Sequence, residues 1–567
     1  MRELFVNTYR ARGGPSLLLL LRGLACAALL CFASAPVTAQ HEGHAPQPTA
    51  TPTPQQGQRA AGKKEEKKEQ QEQRQQPAGE TRQTTVAPAH DHHAPAKHDA
   101  AAPKSADEKG AGKNVSDENK TGGDGKGAVD HSSHGGAGGV GRTFSGSLMV
   151  MSGEEMGVRV GASESNVMPM GQMGSGTAWQ PASSPTYMRH WNAGEWLVMM
   201  HGELKLGVNR QGGPRGVTKF ESQNWVMPMA FRRVGRGTLA LRGMFSLEPL
   251  TFSGAGSPQL FQTGEVYKGQ PIRDFQHPHD LLMELSASYT MPLGERGTWY
   301  VYAALPGEPA LGPVAFMHRS SSSENPTAPL AHHLQDSTHI SMGVVTTGFT
   351  YRWLKLEGSV FNGREPDDKR YNLEFNPWSS RSLRVTVAPG KNWAMQYSYG
   401  FLKNPEFFEP GDTHRQTASV QYNRPFERGN LAAAFVWGRN RESHGGETFR
   451  LNGYTAEATL NFLTRNYVYT RLELVDREGE DLLTHDELHD LGFGEDAHPQ
   501  FRIGAYTFGV ARELWNNERW SFALGADATL YTKPELLDAL YGRNPTSYKI
   551  FLRLRPARNG AGGHGTH

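Results

Sequence analysis

Cysteine is almost absent from this sequence. Cys26 and Cys31 are the only cysteines among 567 residues, and both fall in a segment that we predict to be removed. The mature chain would then have no disulfide and no thiolate metal site. Neither cysteine lies in a lipidation motif, so we predict no lipid anchor.

Long apolar runs are also scarce. One run covers 17–32, is broken by Arg22, follows an arginine-bearing start and precedes the small-residue stretch "APVTAQ". This pattern predicts a cleaved signal peptide over 1–39, and an uncleaved membrane anchor is the alternative. No later stretch has the roughly 18 consecutive apolar residues of a membrane-spanning helix. The exported chain should therefore be either soluble or a β-barrel.

Neither charge sign dominates. Lysine and arginine total 59 and aspartate and glutamate total 57, for a formal net charge of +2, so nothing indicates a nucleic-acid partner. Hydrophobic residues make up 37% of the chain, too few for a helical membrane protein.

Large apolar side chains are nearly missing from 40–142, which we predict to be a disordered linker because it cannot bury a core. Its histidines allow two interpretations, a solvated linker or a weak metal-binding tether, since imidazole suits Cu, Zn and Ni. We predict a leader or plug over 143–194 and a flexible tail over 557–567. The linker histidines that occur in pairs or clusters are, in order, His41, His44, His90, His92, His93, His131 and His134.

What the remaining chain has in abundance is period-two alternation, which is typical of half-buried strands. In "NWAMQYSYGF", for example, Trp393, Met395 and Tyr397 alternate with polar residues. The pattern predicts an all-β fold over 195–556, with about sixteen strands and a range of twelve to eighteen. The predicted strands start near 195, 218, 237, 280, 297, 338, 354, 378, 391, 414, 429, 450, 466, 500, 519 and 545.

The connections between these strands alternate in length. Short turns such as "VGRGT" and "LGERGT" alternate with long loops, the longest being 250–279, 306–337 and 477–499. An even strand count with this alternation is the pattern of a transmembrane antiparallel β-barrel in the outer membrane, with the long loops outside the cell.

The charged residues predict which face of each strand is wet. In a membrane barrel the apolar face meets lipid and the charged face lines the lumen, so Leu285 should face lipid and Glu284 the lumen. Trp196, Trp299, Trp393, Tyr467 and Trp520 suit interfacial girdles. The predicted lumen-lining residues are Glu203, Lys205, Arg242, Glu284, Glu357, Arg384, Glu457, Arg471 and Asp527, with Lys355, Glu473, Arg512 and Arg553 on the same faces.

Several longer phrases carry a resemblance to a known family. "SGTAWQP", "QHPHDLLMELSASY", "LPGEPALGPVAFMHR", "HHLQDSTHISMGVVT" and "FNGREPD" occur in order within 174–556. Together they resemble a largely uncharacterised family of Gram-negative outer-membrane proteins associated with copper and heavy-metal resistance gene neighbourhoods. The resemblance implies an outer-membrane barrel and an involvement with metal, but it supplies no mechanism.

Two sets of residues are candidate metal ligands, with Cu or Zn as the candidate ions. Imidazole with carboxylate suits Zn or Cu(II), and thioether sulfur selects Cu(I). A hydrogen-bonded loop network and plain apolar packing are the respective alternatives. The loop set is His277, His279, Asp280, His318, His332, His333, Asp336 and His339, and the thioether set is Met168, Met170 and Met173.

Catalysis is the remaining interpretation. "HLQDSTH" brings Asp336, Ser337 and His339 together in sequence, but a triad needs tertiary alignment, and no GxSxG motif is present. We therefore predict no enzyme, and keep a barrel hydrolase as one alternative.

The sequence favours a porin-like channel for small solutes, with a link to metal handling. A surface metal-binding protein with a closed barrel is the other alternative. Expected partners are outer-membrane lipid, lipopolysaccharide, the barrel-assembly machinery, and small solutes or metal ions.

Overall fold

A computed structural model of the chain describes residues 147–152, 155–160, 166–374, 378–407, 410–444 and 446–559. The predicted signal peptide, the histidine-bearing linker and nearly all of the predicted tail lie outside the described residues.

The described chain is dominated by strands. In chain order they are β1 (Met149–Ser152), β2 (Glu155–Arg159), β3 (Val167–Pro169), β4 (Met188–Ala193), β5 (Trp196–Arg210), β6 (Thr218–Val234), β7 (Gly237–Phe245), β8 (Ser257–Tyr267), β9 (Gln270–Gln276), β10 (Leu282–Leu293), β11 (Gly297–Gly307), β12 (Ser341–Tyr351), β13 (Leu354–Asn362), β14 (Ser380–Val387), β15 (Trp393–Lys403), β16 (Asp412–Phe426), β17 (Gly429–His444), β18 (Glu447–Phe462), β19 (Asn466–Glu478), β20 (Gln500–Asn516), β21 (Trp520–Thr532) and β22 (Thr546–Pro556).

Among the described residues, sixteen of these strands, β5–β7 and β10–β22, form one closed antiparallel barrel. The ring closes where β22 pairs with β5, with Leu552 opposite Leu206. The short strand β4 pairs with the other end of β5, with Trp191 opposite Val198. The predicted fold class is confirmed, and closure leaves the barrel without an edge strand.

Strand β14 shows why the sequence folds this way. Its side chains alternate between the two faces of the wall: Leu383 and Val385 are 66% and 40% exposed on the outside, whereas Arg384 is 1% exposed inside. The same alternation places Leu285 outside, 43% exposed, and Glu284 inside, 5% exposed. An apolar outer face around a charged interior is the arrangement of a barrel in a lipid bilayer.

The connections sort into two ends of the barrel. Eight tight turns lie at one end, at 194–195, 235–236, 294–296, 352–353, 388–392, 427–428, 463–465 and 517–519. The other end carries the connections 211–217, 246–281, 308–340, 363–379, 404–411, 445–446, 479–499 and 533–545. We call these the turn end and the loop end. The connection at 445–446 is short, which departs from strict alternation.

Short helices occur in the loops. They are α1 (Glu248–Thr251), α2 (His332–Gln335), α3 (Gly479–Leu482), α4 (His485–Asp490) and α5 (Asp538–Tyr541), with 3-10 turns at Met170–Gln172, Phe316–His318, Ser337–His339 and Glu535–Leu537. Helix α4 begins with a capping box, in which Thr484 accepts a hydrogen bond from the backbone N–H of Glu487. No helix in the described ranges is long and apolar enough to cross a membrane.

Two segments fold into the barrel. The inner loop, 308–340, enters from the loop end, and the inner segment, 166–187, packs at the turn end. Asn166 donates to the Gly294 carbonyl at 3.1 Å and Ser183 to the Asn423 carbonyl at 3.0 Å, which fixes the inner segment to the turns. The lumen is therefore occupied by the chain itself.

Three expectations about faces are wrong. Met283, which strict alternation predicts on the lipid-facing side with Leu285, is 2% exposed and inside, because the pairing of β10 shifts between Leu282 and Glu284. Tyr467, expected in an aromatic girdle, is 4% exposed and donates to Glu513 inside the barrel. Arg512 is exposed near the turn end, where it donates to Asn466.

Candidate functional site

The predicted lumen-lining residues all point inward. Eight of them are buried, namely Lys205, Arg242, Glu284, Glu357, Arg384, Glu457, Arg471 and Asp527, and Glu203 is partly buried. A water-filled pore would leave such side chains hydrated. They are buried because the inner loop and the inner segment pack against them.

Arg319 of the inner loop anchors it to the wall. The side chain is 0% exposed; its Nε donates to Glu457 at 2.8 Å and its Nη1 to Asp336 at 3.1 Å. Glu457 also accepts from Arg471 at 3.0 Å. Although burial favours a neutral guanidinium, the two carboxylates raise the pKa of Arg319. The loop is thus held by a buried network in which every charge has a partner.

A second carboxylate of the inner loop repeats this arrangement. Glu324 is 0% exposed and pairs with Arg553 and with Arg555, the latter at 2.8 Å. Burial disfavours the carboxylate, but the two arginines lower the pKa of Glu324. The inner segment is held similarly, because Arg384 donates to Thr177 at 2.9 Å and to Glu357 at 2.9 Å.

Wall glycines let the inner loop approach closely. A Cβ at Gly438 would overlap the carbonyl oxygen of Leu334, and one at Gly453 would lie 2.7 Å from the Cβ of Ala331. Both glycines face α2, so the loop backbone lies directly on the wall. In this half of the interior, along β13–β19, the inner loop packs directly against the wall.

The loop histidines do converge into one group of neighbouring rings. Centroid distances are 5.9 Å for His277–His333, 5.3 Å for His333–His332, 5.1 Å for His332–His339 and 5.5 Å for His339–His279. Phe316 packs against this group, 5.4 Å from His332. Loops 246–281 and 308–340 therefore meet at the loop end, as a shared site requires.

Most of these rings are oriented by an acceptor at Nδ1. His279 pairs with Glu248 at 2.8 Å, His332 with Asp336 at 2.6 Å and His333 with Glu365 at 3.3 Å. Nδ1 of His339 meets the Asp336 carbonyl at 2.8 Å. A carboxylate or carbonyl at Nδ1 is also the usual outer contact of a metal-bound histidine.

Burial sets the protonation of the group. It lowers the pKa of His332 to about 4, against the opposing effect of Asp336, and it holds the pKa of His339 well below its ordinary value. The pKa of His279 is raised, because Glu248 outweighs the effect of burial. Most rings are therefore neutral near pH 7, as metal ligands must be.

The remaining predicted ligands lie apart from this group. Asp280 contacts Arg370 at 3.4 Å, and burial raises its pKa to about 7. His318 lies beside Trp225 and His201, with centroid distances of 4.8 and 5.9 Å. Within the described ranges, no three His, Cys, Asp or Glu side chains are placed to hold a metal ion. Metal binding by the loop set stays a prediction.

The predicted catalytic residues are not arranged as a triad. The Asp336 carboxylate is occupied by His332 and Arg319. His339 contacts the Asp336 backbone carbonyl, and Ser337 accepts a hydrogen bond from Arg415 at 2.8 Å. No serine–imidazole contact links these three residues, so they do not form a catalytic triad.

The predicted thioether residues belong to a larger methionine surface. Met170 is 1% exposed and Met173 packs on the same cluster, while Met168 borders a neighbouring cavity. The cluster adds methionines from several strands and from the inner loop. They are Met149, Met156, Met188, Met199, Met227, Met229, Met244, Met283 and Met317.

Three cavities lie beside this methionine-bearing wall, along β5–β7 and β10, and the last of them extends to β11–β13. The loop-side cavity, about 50 Å³, is bordered by His277, His279 and Phe316. The middle cavity, about 70 Å³, is bordered by methionines, His201 and His318. The turn-side cavity, about 320 Å³, reaches the turn residues 295–296 and 352.

Neighbouring cavities share parts of their walls. Glu203, Trp225 and Met317 border both the loop-side and the middle cavity. Met173, Gly174 and Arg242 border both the middle and the turn-side cavity. The series leads from the loop-end histidines to the turn end, with a few shared side chains between neighbouring cavities.

No family model and no curated protein matches the chain. Several solved structures do. An anion-selective porin from Comamonas acidovorans is 11% identical, with a TM-score of 0.41, covering 64% of this chain and 100% of that one. A loop-deletion mutant of OmpT, an outer membrane protein of Vibrio cholerae, is 8% identical with a TM-score of 0.39, covering 64% and 99%. Salmonella typhi OmpF in complex with daunomycin is 10% identical with a TM-score of 0.38, covering 65% and 100%. Similarity this low transfers no function, and the barrel assignment follows from this chain's own strand pairing.

Proposed function

We propose that this protein is an outer-membrane barrel that passes a small solute through a series of gated cavities instead of an open pore. The supporting observation is that three cavities with shared lining residues run beside β5–β7 and β10–β13, while the inner loop packs directly on the wall elsewhere. The apolar outer face supports a bilayer location, among outer-membrane lipid and lipopolysaccharide. Export by the predicted signal peptide and insertion by the barrel-assembly machinery belong to this proposal.

Trp225 and Met317 are the partition between the first two cavities, so removing both side chains should join them. The experiment is planar-bilayer conductance in KCl with the full chain. We expect a mostly closed wild type and a clearly larger, more often open conductance for Trp225→Ala with Met317→Ala. Phe508→Ala is the control, because Phe508 is 55% exposed on the outer face.

Absence of conductance in the double variant, with the barrel still folded, would overturn the passage proposal. The second candidate would then stand, a closed barrel that binds metal. It is favoured by the neutral, oriented histidine rings at the loop end and by the methionines beside them.

A further inference from the structure

The middle cavity has an unusual lining. Its wall combines side chains from the inner segment and β4, from strands β5 and β6, and from the inner loop, so it is assembled from distant parts of the chain. Its thioethers are Met170, Met173, Met188, Met227, Met229 and Met317, and its imidazoles are His201 and His318.

Methionine is concentrated here beyond what gap filling requires. The surrounding cluster contains seven buried and four partly buried methionines, that is eleven of the 18 in the chain. The other apolar clusters of the described residues consist of Leu, Ile, Val, Ala, Phe and Tyr. Methionine fills irregular cores, but here it surrounds an unfilled space.

The two imidazoles pack against an aromatic ring but take part in no hydrogen bond found among the described residues. Their contacts are aromatic: His201 and His318 lie 4.7 and 4.8 Å from Trp225, centroid to centroid. None of the hydrogen bonds found among the described residues involves either ring. Each ring therefore presents nitrogen atoms to the cavity that no hydrogen bond of the described residues uses.

The charges around the cavity cancel. Three arginines border it, and each has a carboxylate partner: Arg242–Glu284 at 2.9 Å, Arg319–Glu457 at 2.8 Å and Arg555–Glu324 at 2.8 Å. Glu203, the carboxylate that borders the cavity itself, pairs with Lys205 at 2.6 Å and with Arg555 at 3.5 Å. Neutral thioether and imidazole donors instead suit a soft, singly charged ion.

We propose that the middle cavity binds Cu(I) through methionine sulfur and histidine nitrogen. This inference rests on the proposed function and specifies its solute class, Cu(I). Binding of Cu(I) in the cavity does not itself require that the ion passes through the barrel. Cu(I) favours thioether ligands, and the cavity volume of about 70 Å³ leaves room for an ion.

The test uses the processed full chain in detergent, loaded with Cu(I) under reducing conditions, or with Ag(I) as a redox-inert probe. The variant replaces Met227, Met229 and Met317 by leucine, a swap that conserves volume and is well tolerated in cores. Two matched single controls are Met342→Leu, buried outside the cluster, and Met395→Leu, 36% exposed on the outer face.

We expect the triple variant to bind Cu(I) about a hundredfold more weakly in a chelator competition, as loss of several soft ligands implies. X-ray absorption should show sulfur neighbours of copper in the wild type and fewer or none in the triple variant. Because both cysteines precede residue 40, sulfur scattering in the processed chain can only come from methionine. Both controls should match the wild type.

Equal affinity in wild type and triple variant, or copper with only nitrogen and oxygen neighbours, would overturn the site. Binding by the N-terminal histidines is the same in all variants and gives no sulfur signal. Copper bound to sulfur without flux into liposomes would leave the site standing and remove the passage proposal. Flux into liposomes without sulfur ligation of copper would remove the Cu(I) site and leave the passage proposal standing.

Discussion

The two halves of the barrel interior are built differently. Along β13–β19 the inner loop packs directly on the wall: Ala310 donates to Ser359, a Cβ at Gly438 would meet Leu334, and Ala331 donates to Glu473. Arg319 is 0% exposed and joins this packing through Glu457 of β18, at the border with the middle cavity. Beside β5–β7 and β10 the lining is thioether and imidazole, and cavities remain. We call these the packed half and the cavity half.

The difference separates two roles within one barrel. Paired charges and close backbone contacts hold the inner loop rigidly, which closes the packed half. Flexible methionine side chains adapt to their surroundings at low cost, so the cavity half can admit or rearrange around a small guest. If this division holds, the packed half and the cavity half should respond differently to substitution.

The largest effect should come from breaking the ion network of the packed half. Arg319→Ala removes one buried charge and leaves Glu457 with Arg471 and Asp336 with His332 as their remaining partners, and breaking a buried ion pair typically costs about 3–5 kcal/mol. We expect a lower unfolding free energy in urea and a leaky bilayer conductance as the inner loop detaches. Wild-type values for both measurements would mean that Arg319 does not hold the loop.

Lys369→Ala provides the matched control for that change. Lys369 also pairs with a carboxylate, Asp367, at 3.7 Å, but its side chain is 75% exposed. Exposed pairs contribute about 0–1 kcal/mol, so its stability and conductance should stay close to wild type.

A smaller loss of stability is expected when the pH is lowered, through protonation of His332 in α2. The pKa of His332 is about 4 in the folded loop, chiefly through burial, against about 6.5 when the ring is free. Between these values only the detached loop takes up the proton, so docking loses stability as pH falls from about 6.5 to 4. His339 acts in the same direction.

Other groups change with pH differently, so a variant is needed to isolate His332. The stabilisation from His279, whose pKa is raised, is complete below about 6.5 and is lost only as pH rises. The pKa of Asp280 is about 7, and its burial penalty is relieved in acid. His332→Gln should lose less urea stability than wild type between pH 7 and 4.5, and parallel pH profiles would contradict the assignment.

Most of the barrel could be predicted from local sequence. Strands are short-range patterns, and the predicted starts at 218, 237, 297, 354, 429, 466 and 500 coincide with the observed ones. The position of the inner loop could not be predicted. Its contacts join residues such as Glu324 and Arg553, which are far apart in sequence and leave no periodic signal.

The sequence contains a signal for the methionine surface in the strand face on which Met199 lies. Met199 shares its strand face with His201, Glu203 and Lys205, all of which period two places inside. Because methionine is an apolar residue type, the alternation of polar and apolar residues does not by itself reveal that Met199 lies on the inner face. Met283 was beyond such reasoning, because a bulge moves it inward.

The smallest effect should come from an exchange of similar side chains in the cavity half. Met229 is 5% exposed beside the middle cavity, so Met229→Leu should change the unfolding free energy by less than about 1.5 kcal/mol. The reverse exchange in the packed half, Leu334→Met, should cost more, because Leu334 lies against Gly438 and Gly453 with no space to adjust. Urea unfolding of both variants in one detergent gives the comparison. Equal costs, or a larger cost at Met229, would show that the cavity half is packed as rigidly as its counterpart, and the division into two roles would fail.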